Sequence, residues 1–133
     1  YSNWGNHCEQ ALAFTLTGEI RKHDHVPFYA DSDIPEFNMS VKSSGFTLAS
    51  GKVNMGETMD EKLADFFGRV HSDKFAYVTV SMVAYVMDRN EFEQFLRTFA
   101  YMDRDSQKNG GLLKVKCRKE SQKMLNWFEA RVA

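Results

Sequence analysis

Residues 31–44 read DSDIPEFNMSVKSS. From Glu36 to Lys42 polar and apolar residues alternate with the period of a half-buried strand, so Phe37, Met39 and Val41 are expected to face a core. Glu36, Asn38, Ser40 and Lys42 then share the other face, just after the acidic residues Asp31 and Asp33. A strand that aims a serine and a lysine away from its core, directly behind acids, presents either a solvated face or an active site. That choice governs the reading of the whole chain.

On the amino-terminal side, NHCEQALAFTLTG places Cys8, Ala11, Leu12 and Leu16 at helical spacing, with Asn6 as N-cap and Gly18 as the stop. The charged stretch that follows, with Pro27 and Pro35, reads as a loop leading into an edge strand near Phe28 to Asp33. On the carboxyl side FTLAS makes a short third strand, and residues 51–56 turn the chain between two glycines. Thr58 and Glu61 form a capping-box pattern, and Met59, Leu63, Phe66, Phe67 and Val70 make one apolar stripe, predicting a second helix to about Val70. KFAYVTVSMVAYVMD is β-rich and apolar on both faces, as in a strand covered on two sides, with a bend near Ser81 that starts another strand. Asp88 with Glu91 repeats the capping box ahead of Phe92, Phe95, Leu96 and Phe99. After a polar turn, LLKVKCRK points Leu113, Val115 and Cys117 inward and Lys114, Lys116 and Arg118 outward, and Met124, Leu125 and Phe128 line a last helix. The order predicts an α/β fold with a mixed central sheet flanked by helices.

The chain has 133 residues, 43% of them hydrophobic, which suits one domain over residues 1–133 with a real core. Cys8 and Cys117 form no close pair or dense framework, which favours a reduced, cytoplasmic setting. The longest apolar run carries Thr79 and Ser81 and is too short to span a bilayer, so no membrane association is expected. The net charge of −1 argues against non-specific coating of nucleic acid, but it is unevenly spread. Residues 111–133 hold six basic side chains against Glu120 and Glu129, a charge of +4, leaving eleven basic and sixteen acidic residues, −5, in residues 1–110.

An early helix carrying Glu9, then Asp33, then Ser40-Val41-Lys42 on a strand, then a helix and a further strand, resembles the PD-(D/E)XK nuclease superfamily, which includes restriction endonucleases, junction resolvases and the mismatch-repair nicking enzyme. The resemblance covers about residues 5–99 and implies a restriction-endonuclease-like core. It implies a metal-dependent DNA endonuclease that cuts or nicks with Mg²⁺ or Mn²⁺, as a homodimer or beside a larger recognition subunit. Carried over residue by residue, it assigns the helix glutamate to Glu9, the aspartate to Asp33 and the lysine to Lys42. Ser40 stands where most members have an acid; some restriction enzymes share this serine and draw a carboxylate from a later helix. Glu57, at the mouth of the second helix, and Glu36, on the expected strand face, are the two replacements.

This residue set suits phosphodiester hydrolysis. A hard divalent ion is held by one or two carboxylates, here Asp33 and a glutamate, and a lysine orients the attacking water and opposes phosphate charge. Ser40 would hold a metal-bound water without contributing charge. Lys114, Lys116 and Arg118 would track DNA phosphates, and Trp4 would meet a groove or a base.

Each residue also has a plainer reading. Glu9, three residues after Asn6, fits a capping box equally well; Asp33 fits an Asp turn; Glu57 suits the positive end of the second helix. His23 and His25 share one side of an extended segment, where zinc needs more ligands than are visible. The lysine run of residues 114–119 fits a charged edge that discourages strand association. With Ser40 in the acid position, the alternative function is a degenerate nuclease-fold module that binds DNA or a protein partner; a further one is an unrelated α+β interaction domain.

Overall fold

The structure is a computed structural model that describes residues 4–18, 32–48, 58–104 and 113–132. The expected edge strand near Phe28, the turn at residues 51–56 and most of the polar turn after Asp103 lie outside those residues.

Helix α1 (Trp4–Thr17) starts two residues ahead of Asn6, whose Oδ1 accepts from Gln10 Nε2 at 3.2 Å inside the helix, so Asn6 is not the N-cap and the capping-box account of Glu9 fails. The helix stops where expected: Gly18 takes φ +76° and its N–H returns to the Phe14 carbonyl at 2.8 Å. Cys8 and Ala13 are its buried residues, whereas Leu16 is exposed, so the expected stripe ends a turn early.

Strand β1 spans Met39–Ser43, three residues later than the alternation predicts. Pro35 fixes its own φ and opens a 3-10 turn, Pro35–Phe37, closed by Asn38 at φ 48°. Asn tolerates that left-handed conformation, and this one is pinned by Ser32 Oγ donating to Asn38 Oδ1 (2.7 Å) and Asn38 Nδ2 donating to Asp73 (2.9 Å). Phe37 is therefore 45% exposed rather than buried, and Glu36 lies on the turn, off the strand face.

Helix α2 (Met59–Arg69) and helix α3 (Arg89–Phe99) both begin with the expected capping boxes, Thr58 with Glu61 and Asp88 with Glu91. Between them run β2 (Lys74–Val78) and β3 (Ala84–Asp88), joined by a turn in which Met82 takes φ 64°. β1 pairs parallel with β2 and β2 antiparallel with β3, giving a mixed three-stranded sheet in the order β1-β2-β3. Carbonyls in and just beyond the last turn of α2 are closed by Arg89, whose guanidinium donates to Phe67 O (2.5 Å), Val70 O (2.7 Å) and Ser72 O (3.1 Å).

A second sheet replaces the single central sheet expected. β4 (Ala100–Asp103) follows α3 without a turn, unforeseen in the sequence, and pairs antiparallel with β5 (Lys114–Cys117). The segment expected as a third strand forms only an isolated bridge among the described residues, from Thr47 to Lys116 of this sheet and not to β1: Leu48 N donates to Val115 O at 3.0 Å and Cys117 N to Phe46 O at 2.8 Å. The switch is made by a turn closed by Phe46 N to Ser43 O (3.2 Å), with Gly45 at φ +71°. Helix α4 (Gln122–Arg131), N-capped by Ser121, completes the described fold. No helix among the described residues is long and apolar enough to cross a membrane.

β2 is covered on both faces, as its composition predicts. Ala76 joins Ala13, Ile34 and Met39 in a small core under α1, while Phe75 and Tyr77 enter the main core with Phe66, Phe92, Phe95 and Phe128. Phe75 and Phe92 stack with centroids 4.2 Å apart, and such a pair adds about 0.5–1.5 kcal/mol beyond burial. Phe92→Ala is expected to cost about 3–5 kcal/mol, read as a lower urea midpoint. Burial also pushes the Cys117 thiol up to about 12. The folded chain then keeps a proton that the unfolded chain loses near its ordinary value of 9.0, so stability present below pH 9 is lost as pH rises toward 12. Cys117→Ala is expected to flatten that decline in urea titrations at pH 8 to 10.5, by up to about 1.4 kcal/mol per pH unit.

Candidate functional site around Lys42

Among the described residues β1 is the outer strand of its sheet, so one row of its backbone groups has no neighbouring strand there. The Pro35–Phe37 turn folds the chain back along that edge, and Ile34 and Met39 exchange hydrogen bonds of 2.9 and 3.2 Å. Two residues further along, Val41 N donates to Asp33 Oδ2 at 2.8 Å. The carboxylate thus takes the N–H that a longer edge strand would have taken, and the expected nearness of Asp33 to the Ser40-Val41-Lys42 segment is realised.

Lys42 is partly buried, with Nζ 5.9 Å from the centroid of the Phe46 ring, near the outer limit for a cation over an aromatic face. Burial holds its ammonium below the ordinary lysine range, and the charges of Asp33 and then Glu9 pull it back up. Glu9 reaches this field from α1, which packs over β1; Gly5 on the same helix lies so close that a Cβ there would sit 3.6 Å from Ser43 Oγ. One ammonium from β1, one carboxylate from the edge loop and one from α1 therefore share an electrostatic environment. A lysine so placed can orient a polar ligand or oppose an anion, and it gives up its proton more readily than a solvated one.

Ser40 departs from expectation. It is 5% exposed, and its hydroxyl lies 2.7 Å from that of Ser72, itself fully buried and 3.0 Å from Ser32 Oγ. The chain of hydroxyls continues through Asn38 to Asp73. Ser40 thus belongs to a buried polar network joining β1 to the loop before β2, not to an open face holding a metal-bound water. Glu36 is displaced with its turn, and Glu57, His23 and His25 lie outside the described residues. Among the described residues, no group of three or more His, Cys, Asp or Glu side chains is arranged to hold a metal ion.

The basic row behaves as predicted: Lys114, Lys116 and Arg118 point out from β5 while Val115 and Cys117 are buried. Lys116 lies 3.8 Å from Asp103, and the Arg118 guanidinium sits 4.9 Å over the Tyr101 ring. Trp4 opens α1 partly buried, with its ring against His7 at 5.7 Å. Sequence reasoning missed Phe46 beneath Lys42, the Ser72 and Asp73 pair, and Glu120. Glu120 accepts from Val80 N (3.2 Å) and the Tyr77 hydroxyl (3.3 Å), while its own N–H donates to Ser44 Oγ (3.0 Å). It thereby ties the turn after Lys42 to the end of β2. None of these carried a local signal, because each partner is distant in the chain.

Ser72→Ala removes two hydrogen bonds at once, to Ser40 and to Ser32, and is expected to cost about 1–3 kcal/mol, at about 0.5–1.5 kcal/mol for each bond lost, measured by urea unfolding. Compared with protein-family models, curated proteins and solved structures, the chain has no match to any of them.

Proposed function

We propose that this chain is a metal-dependent DNA endonuclease with a restriction-endonuclease-like core, in which Asp33, Glu9 and Lys42 are the working residues. The observation that carries this reading is the Asp33 carboxylate fixed at 2.8 Å on the N–H of Val41, the residue before Lys42; the charges of Asp33 and Glu9 both act on the Lys42 ammonium, and these are the three residues that the PD-(D/E)XK resemblance selects. Asp33 and Glu9 would hold Mg²⁺ or Mn²⁺, which when bound supplies an activated water and offsets charge on the phosphate. Asp33 is oriented for this by the Val41 N–H, fixed without cost in side-chain freedom at the moment of reaction. Lys42 faces the anionic phosphate, orients the attacking water and, with its proton held less tightly than in solvent, can exchange one with it. Ser40 acts indirectly, keeping β1 in place through Ser72.

Plasmid nicking or linearisation in Mg²⁺ tests the reading. Asp33→Ala and Lys42→Met are each expected to lower the rate by about 10²- to 10⁴-fold. Because burial disfavours the Lys42 charge, Lys42→Met is expected to keep or raise the urea midpoint, which separates loss of chemistry from loss of fold. A folded Lys42→Met protein that cuts like the parent overturns the assignment.

The engagement of Ser40 with Ser72, where most PD-(D/E)XK members carry an acid, favours a second reading: a nuclease-fold module that binds DNA or a protein without cutting. Absence of both divalent-ion binding by calorimetry and plasmid cleavage would select it.

A further inference from the structure

The outer face of the second sheet carries a feature that the reaction at Lys42 does not use. Along β5 the outward residues are Lys114 and Lys116, continued by exposed Arg118 and Lys119. Outward residues in a strand recur about every 6.7 Å, a step comparable with that between successive phosphates of an extended nucleic-acid strand. Among the described residues the row is one strand wide. Beside it β4 contributes Tyr101, in register with Lys116, and Asp103, in register with Lys114, whose carboxylate lies 3.8 Å from Lys116 Nζ, a contact that a bound phosphate would replace. The Arg118 guanidinium, 4.9 Å over the Tyr101 ring, pairs a cation with an aromatic platform at one end. That end also adjoins the candidate site: Thr47 bridges to Lys116, and a Cβ on Gly45 would sit 3.6 Å from Lys119 Cγ, so the Lys119 stem lies against the turn that leaves β1 just after Lys42. The charge agrees, since residues 111–133 carry +4 in a chain of net charge −1.

We propose that the outer face of β4 and β5 binds a single strand of DNA, with its backbone along Lys114, Lys116, Arg118 and Lys119 and a base stacked on the Tyr101–Arg118 pair, next to the turn that carries Lys42. Cations that follow one backbone beside a stacking ring are what sequence-tolerant single-strand binding requires. An acidic protein would satisfy the cations but has no use for the stacked ring. The choice of DNA as the polymer rests on the endonuclease reading, whereas the existence of the surface does not.

The test is fluorescence anisotropy of a labelled thymidine oligonucleotide in EDTA with the Lys42→Met protein, so that binding is read without cleavage. With three or four phosphate contacts, log affinity should fall against log salt with a slope of about −2 to −3, at about −0.7 per contact on single strands. Lys116→Glu with Arg118→Glu should weaken binding at least about tenfold and make the slope shallower by about 1.4. Lys114→Gln, a milder change at an outward position, should remove about 0.7 of slope. Tyr101→Ala should weaken binding roughly fivefold or more with the slope unchanged, as loss of a stacked base does. Unaltered affinity in the charge variants overturns the proposal. So does equal affinity for a duplex of the same length, or displacement of the oligonucleotide by polyglutamate at equal charge. If these variants fail to change binding while cleavage by the parent still depends on Lys42, only the surface is wrong. If the oligonucleotide binds as described and no divalent ion supports cleavage, only the endonuclease reading is wrong.

Discussion

The hydrogen bond from the Val41 N–H to Asp33 organises the region on which everything else rests. An outer strand must do something with its unpaired N–H row. Here a short chain reversal covers one position with the backbone of Ile34 and the next with a carboxylate. The same bond that closes the edge brings an acid to the residue before Lys42. Edge protection and the assembly of a charged site are thus one event, and it is set by the few residues between Asp33 and Met39. A carboxylate bonded to a backbone N–H is also held in one orientation, which is a condition that a cation-binding or anion-steering site needs.

Around that edge the fold divides its apolar material unequally. α1 lies over β1 and β2 on a small patch of Ala13, Ile34, Met39 and Ala76, whereas the opposite face of β2 meets a continuous set of rings from α2, α3 and α4. Ring stacks such as Tyr85 with Phe128, 4.5 Å apart and nearly parallel, make that second face stiff. The element bearing Glu9 is consequently attached through small side chains and close backbone approach, as at Gly5, while the strand bearing Lys42 leads straight into the stiffer half.

Much of this could be read from residues that act on near neighbours. Both capping boxes lie within single turns, and α2 and α3 begin where Thr58 and Asp88 place them. The inward row of β5 followed from strict alternation. The nearness of Asp33 to the backbone of β1 was legible because so short a loop leaves the two little freedom to separate. The failures share the opposite cause. Alternation from Glu36 onward was overruled by Pro35 and by a left-handed Asn38, whose side chain is held by Asp73, a residue beyond any local window. β4 follows Phe99 with no glycine or proline to announce a change of structure, and its partner lies beyond residue 112. The predicted third strand is reduced, among the described residues, to an isolated bridge at Thr47, and nothing near Phe46 says that this segment meets Val115 and Cys117 rather than β1. Ser40 looked outward by parity, and only the buried hydroxyl of Ser72 reveals its other engagement.

The tether at Glu120 has a consequence for how the chain matures. Its backbone N–H meets Ser44 across 76 positions of sequence, and its carboxylate meets Val80 across 40. A polypeptide emerging from its amino end exposes α1 and β1 long before residue 120 is made. The turn behind Lys42 therefore gains its anchor only after residue 120 has been made, and the order of that turn becomes a built-in report that the segment leading into α4 has arrived.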